Sequence, residues 1–62
     1  MTTQERIERY MKRHSMSQEA FARRAGIAQN SVSVMLRGKK PGIALAFKVS
    51  AVLGVKPETL MK

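Results

Sequence analysis

Apolar residues recur along this chain at spacings of three and four, and no alternating run is long enough to make a strand. The first apolar face is Ile7, Tyr10 and Met11, which predicts a helix over about residues 3–13. Thr2 and Glu5 stand three apart in front of it. That is the spacing of a capping box, in which each side chain satisfies a free backbone N–H near the other residue. Glu5–Arg9 and Glu8–Lys12 are acid-first pairs one turn apart, and Arg13 and His14 lie where a helix C-terminus favours cations.

Ser17 is a fitting N-cap for a short second helix, Gln18–Arg24, whose inward face is Phe21, Ala22 and Ala25. Gly26 follows, where glycine takes a left-handed backbone without strain. Ile27 reads as a connecting core residue. A third helix is predicted over about residues 28–36, with Val32, Met35 and Leu36 inward. Arg37-Gly38-Lys39-Lys40-Pro41-Gly42 is a basic loop rich in helix breakers. A fourth helix should cover Ile43–Leu53 and stop at Gly54, with Ile43, Ala46, Phe47, Ser50 and Leu53 facing the core. Ala44, Leu45 and Val52 then fall elsewhere on its wheel. They are either scattered surface apolars or, with Val55 and Met61, a self-association patch. Pro57 suits the first turn of a last short helix through Leu60.

The expected fold is therefore all-α, five helices in one domain over residues 1–62. A chain of this size leaves much of its surface exposed, and without cysteine it has no disulfide or thiolate metal site to add stability. One histidine, no aspartate and no glycine-rich phosphate loop remove the usual catalytic constellations, so neither catalysis nor a metal or cofactor is expected. No apolar run approaches a membrane span, and the first residues lack the order of a signal peptide. These features lead us to expect a soluble, cytoplasmic protein.

Charge changes the picture more than composition does. Twelve Lys and Arg against four Glu leave a net charge of +8, which suits an anionic partner better than a merely solvated surface. Two short helices joined by a turn carrying Gly26 are the raw material of a helix-turn-helix. Ala22 is small where the helices must cross, and Ile27 and Val32 bury the far side. The outward side of the third helix carries Gln29, Asn30, Ser33, Val34 and Arg37. Amide side chains there suit base edges, and a valine suits a thymine methyl. Lys39 and Lys40 suit phosphate. Arg23 and Arg24 read as solvated charge, His14 as an exposed helix end, and Tyr10 and Phe21 as core, since three aromatic residues are too few for an RNA-stacking platform.

The stretch from Ser17-Gln18-Glu19 through Ala22 and Gly26 to Val32–Gly38 resembles the five-helix DNA-binding domains of lambda-type phage repressors and Cro proteins. The resemblance covers nearly the whole chain. It implies a recognition helix in the major groove of a two-fold symmetric operator, bound as a dimer; the small size and the charge of +8 lead us to expect a weak dimer or a monomer without DNA. It implies base reading by Gln29, Asn30, Ser33 and Val34. It also implies backbone contacts from Ser17, Gln18, Arg37, Lys39 and Lys40, with Lys40 also placed to reach a base. Gln18 would brace Gln29 as well as hold a phosphate, and the source would be bacterial or phage-encoded.

Three departures stand out. Relatives often pair an Arg late in the first helix with a Glu late in the third; Met11 and Leu36 occupy those positions here. Ala28 stands where Ser or Thr usually caps the third helix, and the chain has few residues after Leu60 for a dimer contact. Two rival functions share the same features. An antitoxin-type protein would act through a partner protein and reveal itself as a stable complex. A non-specific polyanion or membrane binder would ignore DNA sequence.

Overall fold

The computed structural model describes residues 1–61; residue 62, the expected end of the domain, lies outside them. The described residues form five α-helices and no strand: α1 Thr3–His14, α2 Gln18–Ala25, α3 Gln29–Leu36, α4 Ile43–Leu53 and α5 Pro57–Met61. The boundaries follow local chemistry. Thr2 and Glu5 form the capping box in full: the Glu5 N–H donates to Thr2 Oγ1 at 3.1 Å and the Thr2 N–H donates to Glu5 Oε1 at 3.0 Å. The backbone N–H of Thr2, and then its hydroxyl, hold the Glu5 carboxyl below its ordinary value. Ser17 Oγ accepts from the Ala20 N–H at 3.1 Å and so caps α2.

α1, α2 and α4 all end on a left-handed residue that lets the next N–H reach back over the last turn. Gly26 at φ 72° and Gly54 at φ 73° do so after α2 and α4. After α1 the same role falls to Ser15 at φ 52°, and the Met16 N–H donates to the Met11 carbonyl at 2.8 Å. The helix runs one residue past the expected 3–13, through His14, and Ser15 in the left-handed conformation ends it.

Ile7, Phe21, Val32, Met35, Ala46, Val49 and Leu60 close the core, drawn from all five helices. Tyr10 meets Phe21 edge-on at 5.8 Å, and its other side lies 4.3 Å from the His14 ring. α2 packs on α3, α1 on α3, and α5 on α4. The Thr3 hydroxyl donates to the Leu60 carbonyl at 3.2 Å, tying the two ends of the chain together. Met11 and Leu36 are both half-buried against this core, as their apolar character predicts.

α4 corrects the expectation. Its inward face is Ala46, Val49 and Ser50, flanked by partly buried Leu45, Val52 and Leu53. Ile43 is 69% exposed and Phe47 58% exposed, although both were expected inside. The helix is apolar nearly all round, so the sets 43/46/47/50 and 46/49/50/53 satisfy the same spacing. Docking against α5 and α2 chooses the second. Buried Ser50 is satisfied within its own helix, its hydroxyl donating to the Phe47 carbonyl at 3.0 Å. The self-association patch does not form as drawn, because Leu45, Val52 and Val55 pack against the core; Ala44 and Met61 remain exposed. No helix among the described residues is long and apolar enough to cross a membrane.

Candidate nucleic-acid interface

Of the predicted residues, Gln18 opens α2, Gln29, Asn30, Ser33 and Val34 lie on α3 beyond the turn at Gly26, and Arg37, Lys39 and Lys40 follow α3. The turn closes with the Ile27 N–H donating to the Ala22 carbonyl at 2.9 Å, while Ala22 and Ala25 are buried where α2 meets the rest of the core. Val32 and Met35 anchor α3 from behind, which leaves its other face free. Gln29 and Asn30 occupy the first turn of α3 and are exposed, with nothing of the protein between their amides and solvent. Ser33 and Val34, one turn on, are half-buried.

Gln18 opens α2 beside α3. Its Oε1 accepts a 2.6 Å hydrogen bond from Ser33 Oγ. The brace implied by the family resemblance therefore runs to Ser33 in this structure rather than to Gln29. The link spans fifteen positions of sequence and ties the start of α2 to the middle of α3.

The far end of α3 passes into the basic loop. The Arg37 and Lys39 N–H groups both donate to the Val34 carbonyl, at 3.2 and 3.1 Å, and wrap the chain tightly around the helix end. Gly38 sits at φ 102°, a conformation that a side chain would strain. Arg37 is exposed, with Nε donating to the Ser33 carbonyl at 3.4 Å. Lys39 and Lys40 are exposed, and buried Pro41 pins the loop behind them. The arrangement sets hydrogen-bonding amides at one end of α3 and exposed cations at the other.

Ala28 precedes α3 with an extended backbone, φ −71° and ψ 145°, and no side chain caps the helix. Two further residues join the region without any signal in the sequence. Arg6 from α1 lines a cleft of about 460 Å³ together with Lys39 and Lys40, so positive charge continues from the loop onto the first helix. Lys48 of α4 reaches the turn itself, its Nζ 3.5 Å from the Gly26 carbonyl. Both lie far in sequence from the residues they join, and only the packing of α1 and α4 brings them there.

Comparison with known proteins agrees with this geometry. Residues 7–60 match the family model described as helix-turn-helix. Over 56 residues the chain is 30% identical to an uncharacterised HTH-type transcriptional regulator of Methanocaldococcus jannaschii, covering 89% of this chain and 85% of that one. A similar regulator from Archaeoglobus fulgidus is also 30% identical, over 89% of this chain and 79% of its own. Among solved structures, SinR, a master regulator for biofilm formation crystallised in complex with DNA, superposes with a TM-score of 0.74 at 36% identity. That match covers 95% of this chain and 97% of the SinR chain. With the family model spanning α1 to α5 and relatives matched over most of their length, the chain belongs to the Cro/C1-type helix-turn-helix family of DNA-binding transcriptional regulators.

Proposed function

We propose that the chain is a sequence-specific repressor of the phage-repressor or Cro kind. It docks α3 in the major groove of a two-fold symmetric operator and lays α2 across the backbone. Gln29, Asn30, Ser33 and Val34 read bases, while Ser17, Gln18, Arg37, Lys39 and Lys40 hold the backbone. The observation that carries this reading is the pair of exposed amides on the first turn of α3, backed by a rigid core and followed by a cationic loop. SinR, whose fold this chain shares, was crystallised in complex with DNA, which supports DNA as the partner. Two protomers, each at +8, repel one another in solution and pair when phosphates neutralise them.

Selection of bound sites from random duplexes gives the operator, its symmetry and its spacing together. On the selected site, Gln29→Ala should lose about 1–3 kcal/mol and relax one base position per half-site, with little change in salt dependence. Lys40→Ala should weaken binding to selected and scrambled DNA alike and make the salt dependence shallower, by about one unit per lost phosphate contact. Any sequence-dependent part of the Lys40 loss would measure its reach to a base. If Gln29→Ala lowers affinity equally on both DNAs, α3 does not read bases through that residue.

A further inference from the structure

The outer face of α4 is apolar and uncovered. Ile43, Phe47 and Ala51 stand on it one turn apart, all exposed. Beside Phe47 the surface dips into a groove of about 580 Å³ between α2 and α4, lined by Arg24, Ala25, Phe47, Lys48, Ala51 and Val52. A phenylalanine held mostly in water beside a concave surface is an unsatisfied contact rather than a scattered apolar residue. The groove has two cations on its lining and no acid. Of the four glutamates in the chain, Glu5 is engaged in the α1 cap and Glu19 is paired with Arg23 at 2.9 Å.

Charge and area together choose the occupant. A second copy placed symmetrically over Phe47 would bring Arg24 and Lys48 against their own counterparts with no acid between them. A stable homodimer also needs about 800 Å² from each partner. That is roughly a fifth of the 4146 Å² this chain exposes. The stripe from Ile43 to Ala51 is only about 12 Å long at the helical rise. Its length matches about two turns of one helix rather than half of a dimer. DNA is no better suited, since the floor of the groove is phenylalanine, alanine and valine.

We infer that the α2–α4 groove is a docking site for an acidic amphipathic helix of another protein. Its apolar stripe covers Ile43, Phe47 and Ala51, and its carboxylates meet Arg24 and Lys48. The site also has a route to the DNA-binding turn. Lys48 lies within reach of the Gly26 carbonyl, so a carboxylate that draws Lys48 away removes the contact between α4 and that turn.

The test uses the full chain and three synthetic helical peptides of about 20 residues, a length able to form several turns. One carries glutamates with leucines in a single stripe. The second has the same composition shuffled so that no stripe forms. The third keeps the stripe with lysine replacing glutamate. In fluorescence anisotropy the striped acidic peptide should bind at least about tenfold more tightly than the other two. Phe47→Ser should lose that advantage without lowering the melting temperature, because the side chain is exposed. Arg24→Gln with Lys48→Gln should lose it too. Lys39→Gln with Lys40→Gln should leave peptide binding intact, since those residues face a different surface. The inference is overturned by equal binding of the shuffled peptide, by binding that survives Phe47→Ser, or by loss in the Lys39/Lys40 variant. It is also overturned if the free protein sediments as a dimer that Phe47→Ser dissolves, which would give the face to a second copy.

Discussion

Adding a cap to α3 separates its stability from its chemistry. Ala28 has the extended backbone of an N-cap, and the Ser31 N–H already folds back to the Ala28 carbonyl at 3.0 Å. What is missing is a side-chain acceptor. Thr2 and Ser17 show what it would do, since each hydroxyl accepts from the N–H three residues on at 3.1 Å. In Ala28→Ser the new hydroxyl lies in the same relation to Ser31, at an exposed position where it clashes with nothing. The gain should be about 1 kcal/mol. In a domain of this size that raises the melting temperature by about 4–8 °C. Ala28→Asp caps the helix as well and adds a favourable charge at its positive end, so it should be at least as stable at low ionic strength. The two variants should part on DNA. Serine is neutral and should leave affinity nearly unchanged, whereas aspartate sets a negative charge beside the entry of α3 and should weaken binding most at low salt. Thermal melts by circular dichroism and anisotropy titrations at two salt concentrations measure both effects. No rise in melting temperature for Ala28→Ser would refute the reasoning, because the bond to the Ala28 carbonyl would then already satisfy the Ser31 N–H.

Other outcomes are equally specific. Ser15→Gly should stabilise the fold by about 0.5–1 kcal/mol, since glycine takes the left-handed conformation without strain; a loss in chemical denaturation would contradict the αL end of α1. Val49→Ala should cost about 2–3 kcal/mol in the same assay, while Phe47→Ala stays within about 0.5, the reverse of what an inward Phe47 would give. Leu36→Glu should destabilise by about 2–3 kcal/mol, as a half-buried unpaired charge does, and adding Met11→Arg should recover part of that; equal stability of the single and double variants would show that the two positions are uncoupled.

The helix ends were legible because their signals are local. Thr2, Ser17, Gly26 and Gly54 act on groups within four residues, so a few letters contain the whole cause. The α4 face was not, because apolar residues on nearly every side leave the choice of inward face to the neighbours it docks against. Ser15 gave no warning, since nothing in a serine announces a left-handed backbone. For the interface, the sequence placed the exposed amides of α3 and the loop cations. The partner of Gln18, the approach of Arg6 to the loop and the reach of Lys48 depend on how helices cross, which no local pattern encodes.

In the proposed docking, the bond between Gln18 and Ser33 would also act as a filter on bases. A serine hydroxyl has a single hydrogen, and Ser33 commits it to Gln18 Oε1. What its oxygen retains is lone pairs, so in a groove-bound α3 it can accept a hydrogen and give none. Adenine N6 and cytosine N4 offer one in the major groove, whereas guanine and thymine present acceptors there. Gln18, its oxygen occupied, has two amide hydrogens left to donate, the polarity a phosphate oxygen needs. On that docking, one proton shared between helices would divide the two polar partners into an acceptor for amino-bearing bases and a donor for the backbone. The selected operator should show adenine or cytosine under Ser33, and Ser33→Ala should erase that preference while leaving the others in place.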